Sequence, residues 1–455
     1  MDGTFFEGLY EYDHRTGKIV DGLADGDPIK INDLTYDVKI KNNQLFSDGS
    51  RITAGDIQEA FGANLTSTTF CSLIDFIKTI EVKDDFTVRF RLEYPFESMM
   101  KERLSIIRIY KEPDKIEDTG KKPIGSGPWI YKSAEGKNEG LINLMPNGKY
   151  DGEFAPKVKA MEWKVLTKEE ERVKAFLGGQ VDVMECVPVD SIEKIKASGK
   201  KVEAVQSMSL PLIIFNTVKA PFDDIRVRQA ILYAINTEHI IEEKLKGYAT
   251  PATSFLHEAH KSYHRASTVY NYNPEIAKQL LNGQKIDMEL MVSENSWCAD
   301  FADLIEHDLD AVGINCNLNI KSIDWDKLSE NDATPPFDVI MTPGDPSCFG
   351  DDADLLMSWW YGDNTWTFAR SCWQNAKNSR FKELQDLMQK ARVSSGDAQQ
   401  ELWNQCYDLI AAEVPMYPLL HRQMITAYDD TKLKDFKPIS TTGLWLLDTG
   451  VKSQN

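Results

Sequence analysis

Apolar and polar side chains alternate over residues 34–40 (LTYDVKI) and again over 86–92 (FTVRFRL). A period of two marks a strand with one buried face, so both stretches are predicted as half-buried strands. Between them, Thr53-Ala-Gly-Asp56 precedes a helical spacing that starts at Ile57, with Thr53 as N-cap. Lys122–Pro128 is a Pro/Gly-rich turn ahead of a short strand, WIYKS. Residues Glu169–Leu177 carry a helical pattern closed by Gly178-Gly179, and Val181–Cys186 reads as a buried strand.

The second half opens on a continuous apolar run, residues 210–216 (LPLIIFN), followed by a helix over Ile225–Ile235. Asn273 caps a helix that runs to Leu281 and stops at Asn282-Gly283. Strand Asp287–Val292, helix Cys298–Val312 and strand Ile314–Ile320 then form a βαβ-like passage. A strand over Phe337–Met341 leads into an aromatic-rich stretch, expected to be irregular, that extends to Trp373. Helices near 379–392 and 398–412 and a strand at Met416–Leu420 complete the pattern, which is that of a mixed α/β protein without internal repeats.

At 455 residues the chain exceeds one ordinary core, so two or three packed units are expected. The net charge of -19 argues against sequence-independent binding of nucleic-acid phosphates. No stretch approaches the roughly 18 apolar residues that span a bilayer. The first residues lack the basic-then-apolar pattern of an export signal. The seven cysteines form no CxxC pair, which gives no support to a zinc site. G-x-S-x-G, H-E-x-x-H and nucleotide-binding glycine signatures are all missing, so a hydrolase is a minor alternative, and no cofactor is expected.

Eight segments, in order, resemble the family 5 extracellular solute-binding proteins of ABC importers. They include Phe6-Glu-Gly-Leu9 with Tyr12-Asp13 and Thr16-Gly17, and Leu34-Thr-Tyr36 through Phe46-Ser-Asp-Gly49 and Thr53–Asp56. Ile124–Pro128, Asn273–Leu281 and Gly313-Ile314 with Trp325 follow the same pattern. The most specific is Phe215-Asn216 with Pro221-Phe-Asp-Asp-Ile-Arg-Val-Arg-Gln-Ala230. The resemblance implies a two-lobed periplasmic-binding-protein-like α/β fold whose lobes are joined by two crossover segments and enclose a solute. By the same resemblance, residues 1–113 form domain II and 114–225 with 426–455 form domain I. Residues 226–425 form domain III, with crossovers near Asn216–Arg226 and His421–Leu433. Family members carry further residues ahead of the Phe6–Leu9 motif, including the first strand of domain I. A trimmed or late-assigned start is therefore expected, for an exported protein, either a cell-surface lipoprotein or periplasmic, that acts as a monomer beside a membrane permease.

The implied ligand is a peptide, with an oligosaccharide or a metal complex as alternatives and an adhesive surface role as another. Relatives place an aspartate for the ligand's α-amino group after the strand that begins at Phe337. Asp345 is the first candidate, with Asp351 and Asp352 as alternatives. The same passage offers Trp359, Trp360, Tyr361 and Arg370, the last as a bidentate donor to a carboxylate. Asn216 and Trp445 complete the expected substrate-binding set. His257, His260 and His264 have metal-compatible spacing but read as solvated loop residues. Cys348 and Cys372 flank the aromatic passage as a possible disulfide.

Overall fold

A computed structural model describes residues 2–111, 124–136, 140–294, 296–329 and 336–453. Two compact units emerge: residues 1–205, 349–352 and 424–455 form unit 1, and residues 206–348 and 353–423 form unit 2. Lys122 and Pro123 of the expected turn, and the expected domain boundary after residue 113, lie outside the described residues.

In unit 1 the two alternating stretches form neighbouring antiparallel strands, Thr35–Lys39 and Thr87–Leu92, in a four-stranded sheet. Their inward residues Tyr36, Val38, Val88 and Phe90 are buried, as the period of two requires. Helix Ala54–Asn64 contributes Ile57 and Phe61 to this core, and the Phe61 ring meets Phe90 edge-on at 5.2 Å. Its first turn is closed by a capping box, in which the Asp56 carboxylate accepts from the Thr53 backbone N–H at 2.7 Å. A second sheet, Trp129–Glu135, Gly140–Pro146 and Met161–Val165, packs Trp129 and Leu144 against Phe154, Ile439, Trp445 and Leu447. The strand expected over Val181–Cys186 shortens to Val183–Met184, since Cys186 takes a left-handed backbone (φ 51°) that ends extended structure.

The chain passes from one unit to the other at 205/206, 348/349, 352/353 and 423/424. The first and last of these points fall inside strands, Lys201–Gln206 and Leu420–Tyr428, that are neighbours in one sheet. The apolar run after the first passage belongs wholly to the core of unit 2, where all six residues of Leu210–Phe215 are buried.

Unit 2 is built on a five-stranded sheet. Its strands are β1 (Leu210–Phe215), β2 (Ile286–Ser293), β3 (Ile314–Lys321), β4 (Val339–Gly344) and, after the helices α1 (Ala353–Tyr361) and α2 (Thr365–Ser371), β5 (Met416–Pro418). The order is β3-β2-β4-β1-β5, with β2 parallel to β3 and β4, and β1 antiparallel to β4 and β5. The carboxyl ends of β2, β3 and β4 therefore share one edge with the start of β1, where Leu210 faces Gly344. The aromatic stretch expected to be irregular instead supplies α1 and α2. Asn364 caps α2 by accepting from Thr367 N–H at 2.9 Å, and Cys372 (φ 54°) closes it.

Candidate functional site

In open α/β sheets, ligands are received outside the carboxyl ends of the parallel strands. In unit 2 that edge carries Glu294, Ser296 and Trp297 after β2 and Asp345 to Cys348 after β4. Asp345 is half-buried and holds the turn after β4, accepting from Ser347 N–H at 3.1 Å and from the Ser347 hydroxyl. Gly344 is required here because a Cβ would lie 2.3 Å from Cζ2 of Trp360, whose indole packs directly on the strand end. Trp360 is only 3% exposed. The guanidinium of Arg370 lies over its ring at 4.5 Å and within 5.7 Å of Trp359, and its Nη1 donates to the Trp359 carbonyl at 2.5 Å. Burial lowers the Arg370 pKa to about 9. Trp359, Trp360 and Arg370 thus meet at one point beside the loop that bears Asp345.

Of the other expected residues, Asn216 and Tyr361 lie elsewhere in unit 2, and Trp445, Asp351 and Asp352 belong to unit 1. Asn216 lies at the far end of β1, roughly 20 Å of strand from Leu210, where it is fully buried and its amide donates to the Phe337 carbonyl at 2.9 Å. Tyr361 is a core residue, its hydroxyl donating to Met416 O at 3.0 Å and its ring set edge-on to Phe255. Trp445 belongs to unit 1, in the cluster with Trp129 and Phe154, where Arg15 stacks on it at 5.0 Å. Asp351 and Asp352 also fall in unit 1. The backbone N–H of Asp351 donates to Glu102, and Asp352 receives Arg103 through two bonds of 2.7 and 2.9 Å.

One pairing at this edge was not legible from spacing: the Arg422 guanidinium stacks on Trp297 at 4.5 Å. The Arg422 carbonyl also accepts from the Ser207 hydroxyl at 2.6 Å. Trp297 follows β2 closely, but its partner comes 125 positions later, and neither residue belongs to a motif.

The histidines are engaged separately. His257 Nδ1 accepts from Ala259 N–H, His260 Nδ1 accepts from Ser262 N–H, and His264 lies 3.3 Å from Asp408. Such bonds fix each ring to its own turn. Among the described residues no group of three or more candidate ligands gathers. No disulfide joins Cys348 and Cys372: the former is exposed, and the latter is a buried thiol whose pKa burial raises to about 11. Among the described residues no helix is long and apolar enough to cross a membrane.

With this geometry in place, comparison with known proteins gives the setting. The sequence profile of the bacterial extracellular solute-binding proteins, family 5, matches residues 18–368. The glutathione-binding protein GsiB of Salmonella paratyphi A is 23% identical over 98% of this chain and 87% of its own length. The oligopeptide-binding protein AppA of Bacillus subtilis is 26% identical over 71% of this chain and 65% of its own. Among solved structures, a dipeptide-binding protein from Pseudoalteromonas sp. SM9913, in complex with Met-Leu, superposes with a TM-score of 0.85. It is 18% identical and the match covers 99% of this chain and 95% of that one, so the two share a fold.

Proposed function

The chain belongs to family 5 of the bacterial extracellular solute-binding proteins, and we propose that it captures a short peptide or similar small solute for an ABC importer. In this reading it works outside the cytoplasm as a monomer, and it releases its cargo intact to a membrane permease. Binding and signalling are then one event, since a ligand that prefers one receptor conformation raises the population the permease meets.

The family match across residues 18–368 carries this reading. Peptide is favoured as the cargo by two considerations. Relatives named for glutathione and for oligopeptides align with most of the chain. Stacking on sugar rings would need open tryptophan faces, and two of the four tryptophans in the aromatic passage, Trp360 and Trp373, are buried. A thermal-shift screen against di- to octapeptides and oligosaccharides tests the proposal. A ligand that binds only the folded state raises the melting temperature with the logarithm of its concentration. Stabilisation by peptides supports the reading. Turnover of a substrate, with no solute stabilising the protein, defeats it.

A further inference from the structure

Two tryptophans stand where the neighbouring strands β2 and β4 end, and they are held differently. Trp360 is sunk against the end of β4, whereas Trp297, just past the end of β2, stays partly exposed. The turn that carries Trp297 is tied down on both sides of it. The Ser296 hydroxyl donates to the Ser293 carbonyl at 2.6 Å, and the Glu294 N–H donates to the Lys321 carbonyl at 3.0 Å. Cys298 and Phe301, which follow, are fully buried. The core therefore anchors the turn, yet it leaves the indole partly in solvent at the edge where ligands enter.

The indole is also clamped. The Arg422 guanidinium lies over its ring at 4.5 Å, and the Phe301 ring meets it at 5.9 Å, tilted by 53°. Laying a long side chain on a ring gives up rotamer freedom, and here the backbone beneath it is already fixed. Arg422 stands opposite Ala249 in an antiparallel pair, and its carbonyl accepts from the Ser207 hydroxyl at 2.6 Å and the Gln206 amide at 3.3 Å. All of these residues lie in unit 2.

We infer that Trp297 is a specificity-determining residue that packs an apolar or aromatic side chain of the cargo, and that Arg422 is the positioning residue that holds its ring for that contact. The inference rests on the reading of the protein as a peptide receptor and adds the side-chain class that unit 2 selects. An indole is a large, rigid surface with two rotatable bonds, so it packs against a ligand at low entropic cost. A guanidinium stacked on part of it fixes the ring before the cargo arrives, which lowers that cost further. A Leu or Phe side chain laid on the remaining surface leaves water, whereas Gly or Ser brings almost no apolar area to bury.

The test compares two matched di- to tetrapeptide pools, one carrying Leu and Phe and the other Gly and Ser, with the same termini. Calorimetry reads affinity on the unaltered protein and on Trp297→Ala, Arg422→Gln and Arg422→Lys. The unaltered protein should bind the apolar pool about ten-fold more tightly. Trp297→Ala should cut that ratio to about two-fold or less while leaving the Gly/Ser pool within about two-fold of its original affinity. Arg422→Gln should lower the ratio about three-fold, the scale of an exposed cation–π contact, and Arg422→Lys should recover most of it. The ratio compares two ligands on the same folded protein, so a variant that only loses stability does not move it. Equal affinity for the two pools on the unaltered protein overturns the assignment and leaves the peptide receptor intact. An equal loss for both pools in Trp297→Ala assigns the ring to packing and also overturns it. A ratio unmoved by Arg422→Gln overturns the positioning role. If neither pool binds, the peptide reading falls and the assignment falls with it.

Discussion

Glu7 offers a quantitative test of unit 1. It stands in the Phe6–Leu9 motif, is 3% exposed, and its Oε2 has no hydrogen-bond partner. Burial, reinforced by the neighbouring Glu11 charge, raises its pKa from 4.5 to about 8, while Ser126 and Lys41 pull more weakly the other way. The folded state therefore holds a proton that the unfolded chain has already released, so stability falls as pH rises from about 4.5 to 8. Each unit of separation is worth ~1.4 kcal/mol, so the cost is about 1 kcal/mol at pH 5 and about 3 kcal/mol at pH 7. Glu7→Gln removes the titration and keeps the shape. Any pH-independent effect of the amide cancels when the variant and the parent are compared across pH. Urea unfolding at pH 5, 6, 7 and 8 should show the variant gaining about 2 kcal/mol on the parent between pH 5 and pH 7. A difference that stays constant within ~0.5 kcal/mol over that range would refute a buried, protonated Glu7.

Other perturbations test other layers of the structure. Asp352→Asn strands the Arg103 cation in a buried setting and should cost about 3–5 kcal/mol by denaturant unfolding. Trp129→Ala empties the cluster shared with Phe154 and Trp445 and deletes the bond to the Leu447 carbonyl, for a loss of about 3–5 kcal/mol. Thr53→Ala opens the capping box of the Ala54–Asn64 helix and should cost about 1 kcal/mol in the same assay. Gly344→Ala drives a methyl group into the Trp360 ring; unfolding should show a loss of about 1–3 kcal/mol.

Much of the scaffold could be read from the chain because local rules and tertiary packing agree there. The alternating 34–40 and 86–92 stretches became paired strands, the Thr53 cap closed its helix, and Asn282 (φ 48°) ended the helix that Asn273 begins. The passage after β4 resisted because two kinds of signal overlap in it. Its tryptophans and aspartates suggest a binding loop, yet α1 buries eight of its nine residues, so most of its aromatic character serves packing. Asn216 ends an apolar strand, and such a residue looks the same at either edge of a sheet. Only the antiparallel pairing of β1 with β4 places it at the end away from Gly344. The pairing of Asp352 with Arg103 spans 249 positions, which no local pattern encodes.

The central claim is that the protein receives a solute and leaves it unchanged. The direct measurement is calorimetric titration with the tightest peptide from the screen, followed by mass spectrometry of the peptide recovered from the complex. Saturable binding of one peptide per chain, recovered at its original mass, is the predicted result. Recovery of cleaved peptide, or no saturable heat with any peptide, would contradict it.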